Sequence, residues 1–124
     1  MANPLLNKNY LAEAAISPYR IVKPGTSDGN ILQGAAATDF LMGVCESVGP
    51  ALGERCDVVK SGIADVEFGG AVTRGAAVTS DANGKAVAAA PAAGSNVRII
   101  GFAEVSAVAG DIGPILVAPG VMQG

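Results

Sequence analysis

The stretch Ala76-Ala77-Val78-Thr79-Ser80-Asp81-Ala82-Asn83-Gly84-Lys85-Ala86-Val87-Ala88-Ala89-Ala90 decides the class of fold. Two short runs, Ala76–Thr79 and Lys85–Ala90, flank the turn Asp81-Ala82-Asn83-Gly84. Asn-Gly suits a tight hairpin because both residues tolerate positive φ. The same grammar extends outward. Arg20-Ile21-Val22, Asp57-Val58-Val59, Val97-Arg98-Ile99-Ile100 and Pro114-Ile115-Leu116-Val117 are short apolar runs set between Gly, Pro, Asn and Asp, the pattern of strands and turns. Seventeen glycines supply turn and bulge positions. Seven scattered prolines oppose long helices.

The hairpin also has a partner elsewhere in the chain. Asp28-Gly29-Asn30 matches Ala82-Asn83-Gly84-Lys85, and Met42-Gly43-Val44-Cys45-Glu46 matches Ile100-Gly101-Phe102-Ala103-Glu104. A Gly-acid pair follows each, Gly53-Glu54 and Gly110-Asp111, and then an apolar run, Val58-Val59 and Ile115-Leu116, that ends at Gly62 and Gly120. This spacing predicts a duplicated hairpin unit. The expected fold is therefore mostly β: a small compact barrel-like or sandwich-like domain over residues 19–124. Residues 1–18 contain no glycine and lack the strand pattern. They read as an N-terminal arm, with Asn3-Pro4 able to cap a helix and an extended form fitting equally well.

Composition narrows the chemistry. Half of the 124 residues are apolar but only 4% are aromatic, so the core is built of small side chains that each bury little area. The net charge of −3 comes without a basic run, which disfavours direct nucleic-acid binding. No apolar run is long enough to cross a membrane as a helix. The N-terminus has no signal-peptide pattern, which points to synthesis in the cytoplasm. Histidine is absent, which removes the commonest general base and metal ligand. Cys45 and Cys56 lack CxxC spacing and cannot complete a zinc site alone. Free buried thiols are the default for the pair, and a disulfide across strands is the alternative in an oxidising medium.

Other constellations read as structural. Asp65 and Glu67 fall on one face of a strand whose Val66 and Phe68 point inward. Lys85 follows a tight turn, as the modified lysine of lipoyl or biotinyl carrier domains does, but it lies beyond the apex and outside their sequence context. No phosphate loop, dinucleotide loop or nucleophile elbow occurs. Neither catalytic residues, nor a cofactor, nor a metal are expected.

Ala12-Glu13-Ala14-Ala15-Ile16-Ser17-Pro18-Tyr19-Arg20-Ile21-Val22-Lys23, Gly53-Glu54-Arg55-Cys56-Asp57-Val58-Val59, Val66-Glu67-Phe68-Gly69-Gly70-Ala71-Val72-Thr73-Arg74-Gly75 and Gly110-Asp111-Ile112-Gly113 carry a further signal in their order and spacing. In these the chain resembles the phage capsid cement, or head-decoration, family. Ala76 is a departure, since many relatives carry Asp there. The resemblance implies a non-enzymatic virion protein on the outer capsid surface, made in the host cytoplasm. It implies the major capsid protein as partner and a homo-oligomer, a trimer before a dimer. On that reading the arm is the capsid-binding element, with Leu5, Leu6, Lys8, Tyr10 and Leu11 as its contact residues. A tail accessory module is the alternative virion role.

Overall fold

The computed structural model describes residues 2–124. They form nine strands and, among the described residues, no helix: β1 (Asn3–Ala12), β2 (Arg20–Pro24), β3 (Asn30–Gln33), β4 (Gly43–Cys45), β5 (Arg55–Glu67), β6 (Ala77–Ser80), β7 (Ala86–Ala88), β8 (Asn96–Ala103) and β9 (Ile112–Gln123). Their order in one sheet is β1-β3-β2-β4-β5-β9-β8-β6-β7, and β1 also pairs with β5. The first five strands therefore close into a ring.

The pairing pattern is repeated along the chain. The contacts β1–β5, β2–β3, β2–β4 and β4–β5 recur as β5–β9, β6–β7, β6–β8 and β8–β9. Register matches as well. Val44↔Val59 and Cys45↔Val58 become Phe102↔Leu116 and Ala103↔Ile115. Leu11↔Arg55 becomes Glu67↔Ile112. Even the loop bonds repeat: Ala12 N donates to Glu54 O at 2.8 Å and Gly53 N to Ala12 O, while Phe68 N donates to Asp111 O at 2.8 Å and Gly110 N to Phe68 O. The chain is thus two copies of one unit, and β5 serves both, as the last strand of unit 1 and the first of unit 2. The matched Gly43 and Gly101 are fixed by this geometry. A Cβ would stand 2.5 Å from Val59 O at Gly43 and 1.7 Å from Leu116 O at Gly101, closer than any carbon can approach a carbonyl.

Each unit has its own core. Tyr10, Ala12, Ile16, Val22, Ile31 and Val58 lie in the first. Their counterparts Val66, Phe68, Val72, Val78, Ala86 and Ile115 lie in the second. The second core also receives Ile21, Leu41, Val44 and Val59 from the outside of unit 1. Strands β2, β4 and the middle of β5 are consequently buried on both faces. This is why they read as continuous apolar pairs, Ile21-Val22 and Val58-Val59, and not as an alternation.

The structure corrects the reading of residues 1–18 as an arm outside the β domain. Met1 lies outside the described residues. Asn3–Ala12 is a strand, antiparallel to β5 and parallel to β3 at Leu11 and Ala12. Without it the ring would have two open edges, and exposed edges invite unwanted pairing. Tyr10 and Ala12 point inward, and Ile16 is buried beyond the strand, its N–H bonded to Pro50 O.

The default of free thiols is also corrected. Cys45 and Cys56 are joined as a disulfide across β4 and β5, inside the first core. Their counterparts in unit 2 are Ala103 and Gly113, so this lock belongs to unit 1 alone. Closing a loop of 11 residues removes conformational entropy from the unfolded chain and so raises its free energy by about 2.8 kcal/mol. Reduction is expected to lower the denaturation midpoint by that order without dispersing the β signal in circular dichroism. An unchanged midpoint in reductant would show that the bond stabilises nothing.

Candidate interaction surface

The five arm residues separate into two groups. Leu5 is 81% exposed and Leu6 55% exposed, and Lys8 is exposed beside them. Register shifts on either side of Leu6 mark bulges, which re-aim side chains at a strand edge. The backbone of Leu5 lies so close to β5 that a Cβ on Gly62 would stand 2.5 Å from its nitrogen. Tyr10 belongs to the core, not to a free surface. The ammonium groups of Lys8 and Lys60 each sit 5.3 Å from its ring centroid, and Lys60 Nζ donates to its hydroxyl at 2.8 Å. Leu11 is half-buried between β5 and β3.

A second apolar surface escaped the sequence reading. Phe102 and Leu116 face each other on β8 and β9, and Leu116 faces Ile63 on β5. Directly paired residues share a face of the sheet, so the three form one row on the outside of unit 2. Phe102 and Leu116 are each 39% exposed, and Ile112, further along β9, is 53% exposed. Leu6, opposite Ser61 on the same strand β5, extends the row to β1. In the sequence Phe102 and Leu116 look like any strand residues. Only their alignment with Val44 and Val59 could have singled them out.

The polar features serve the fold. Val66 and Phe68 are fully buried while Asp65 and Glu67 occupy the opposite face. The carboxylate of Glu67 accepts from Arg20 Nη1 at 2.8 Å and from Lys85 Nζ at 3.0 Å, tying β2 of unit 1 to the β6–β7 hairpin. Lys85 is therefore held in an ion pair at the flank of the turn, unlike a carrier lysine presented at an apex. The hydrogen bond from Lys85, and then those from Arg20, hold the Glu67 carboxyl below the usual range against partial desolvation. A lowered carboxyl pKa contributes stability that is complete above the ordinary value and is lost as pH falls through the folded one. Glu67→Gln is therefore expected to destabilise the protein at neutral pH and to flatten its loss of stability from roughly pH 4 downward. Parallel acid titrations of the two proteins would contradict this.

A groove of about 360 Å³ lies between β1, β5 and the loop after β4, lined by Asn7, Asn9, Glu46, Arg55 and Asp57 among others. Its one sulfur, that of Cys56, is in the disulfide. Among the described residues no three His, Cys, Asp or Glu side chains gather as a metal site.

This fold, two fused β units with an apolar outer face, is similar to that of a phage structural protein. The head fiber gp8.5 N base of bacteriophage phi29 matches with a TM-score of 0.71 and 17% identity, over 91% of this chain and 93% of that one. The chain belongs to the phage cement protein family, whose model matches residues 9–122. It is accordingly a structural phage protein and a component of the virion. No curated protein matches it. Leu5, Leu6 and Lys8 precede the matched segment.

Proposed function

We propose that the protein cements the phage head. It attaches to the outer surface of the capsid through the major capsid protein, as a homo-oligomer with a trimer favoured over a dimer. It braces the shell without catalysis, cofactor or contact with nucleic acid or membrane, and it is made in the host cytoplasm before joining the particle. The family match across nearly the whole chain carries this reading. The exposed Leu5 and Leu6 support it, because solvent-exposed leucines side by side on a strand edge are an unfavourable surface until something covers them.

Leu5 and Leu6 anchor the capsid contact, with Lys8 as a charged neighbour. Several such anchors in one oligomer bind together, since the second and third contacts become intramolecular. Co-sedimentation with heads lacking the protein tests this. Leu5→Ser/Leu6→Ser, on side chains that the core does not use, is expected to weaken head binding at least about tenfold, given roughly 1.5–3 kcal/mol for each fully buried leucine. Wild-type binding by this variant would remove the strand edge from the contact, and wild-type protein that fails to sediment with heads would refute the cement role itself.

A further inference from the structure

The two units treat one end of their cores differently. Lys8 stands opposite Val58, and Tyr10 opposite Cys56, on β1 and β5. The same places in unit 2 are Ala64 opposite Ile115 and Val66 opposite Gly113, on β5 and β9. Lys60 follows Val59 as Val117 follows its counterpart Leu116. Ala64, Val66 and Val117 are 0%, 0% and 3% exposed, in the core that Ile21, Val44 and Val59 of unit 1 complete. Unit 2 thus keeps this end of its core apolar and buried against unit 1. In unit 1 the equivalent end stays open: Lys8 is exposed, Lys60 is half-buried, and two cations stand where unit 2 has Ala64 and Val117. Both ammonium groups lie 5.3 Å from the centroid of the one Tyr10 ring, within cation–π range. Tyr10 is anchored in the first core, and Lys60 Nζ donates to its hydroxyl at 2.8 Å. Among the described residues neither lysine is paired with a carboxylate; the ion pairs engage Arg20, Lys23 and Lys85. Two like charges held at one ring repel each other, and an anion bound beside both relieves that repulsion.

We infer that Lys8, Lys60 and Tyr10 form a socket for an acidic side chain, the carboxylate of an Asp or Glu on the capsid protein. The inference rests on the proposed capsid contact, whose Leu5 and Leu6 precede Lys8 on β1. It adds the chemistry of the partner: an apolar patch for the leucines and a carboxylate beside it. Two ammonium groups supply the charge. The Tyr10 hydroxyl accepts from Lys60, so its own proton is available to donate to the carboxylate. A second copy of the chain cannot fill this end as unit 1 fills that of unit 2, because Ile21, Val44 and Val59 are buried within each copy. Charge complementarity of this kind fixes register and partner choice at an interface.

The test is co-sedimentation with heads lacking the protein, at low and at high salt. Wild-type binding is expected to weaken as salt is raised. Lys60→Met, which keeps a side chain of similar length and removes the charge, is expected to weaken binding about tenfold at low salt and to flatten the salt dependence. Lys60→Arg is expected to retain both. Lys8→Gln, at an exposed position, provides the same reading should a thermal melt show that Lys60→Met folds poorly. Neutralised variants that bind as tightly as wild type, with the same salt dependence, would overturn the inference and leave the cement role standing. Wild-type protein that fails to sediment with heads would refute the cement role and the inference with it. If Lys60→Met instead lowers the mass of the isolated protein in light scattering, the carboxylate belongs to a second copy and the inference is equally overturned.

Discussion

Removal of residues 2–12 is expected to abolish cooperative folding of unit 1. Strand β1 matches β5 at eight positions from Asn3 to Leu11 and adds a parallel contact to β3. Each lost backbone hydrogen bond costs about 0.5–1.5 kcal/mol. Loss of the buried Tyr10 removes an aromatic side chain from the first core, a change of about 3–5 kcal/mol in comparable cores. The total rivals the 5–15 kcal/mol that roughly defines the stability of a whole domain. Unit 2 cannot remain unaffected, because its core is completed by Ile21, Val44 and Val59 of unit 1. A thermal melt of the truncated chain should show no sigmoidal transition. A truncated protein that melts cooperatively within a few degrees of the full chain would mean that β1 is an arm after all. The Leu5→Ser/Leu6→Ser variant separates the two roles of the strand, since it touches the exposed half and leaves Tyr10 and Ala12 in place.

Phe68→Ala is expected to be the most damaging single substitution, at about 3–5 kcal/mol. Phe68 heads the fully buried side chains by volume. It stands where β5 ends, with its N–H bonded to Asp111 O and its carbonyl accepting from Gly110 N. The matched position in unit 1 is Ala12, whose small side chain is balanced by Tyr10 two residues earlier. In unit 2 the order of sizes is exchanged, with Val66 small and Phe68 large. The second core therefore has no other aromatic ring to collapse into the space. Denaturant unfolding should show a lowered midpoint with an unchanged slope. A midpoint shift worth less than about 1 kcal/mol would indicate that the two units repack more freely than their close register implies.

The hairpin at Asp81–Gly84 and the repeat at Gly43 and Gly101 were legible in the sequence, because turns and close backbone approaches admit few residue types. Strand β1 was not. Its exposed half, Asn3–Asn9, includes Pro, Lys and three Asn, residues depleted in strands. Exposure along that half leaves no alternation to detect, and only Tyr10 and Ala12 carry the inward period. The disulfide was legible as a possibility of spacing but not as a fact, since only the strand register brings Cys45 beside Cys56. The outer row of unit 2 was illegible for a different reason. Val44 and Phe102 occupy the same place in the repeat, and only tertiary packing makes one core and the other surface.

Electron microscopy of expanded heads with and without the protein tests the central claim most directly. The cement reading predicts additional density on the outer capsid surface, arranged by the local symmetry axes, that disappears when the protein is omitted and returns when it is added to bare heads. Heads with identical outer surfaces in both preparations, or density confined to the tail, would contradict it.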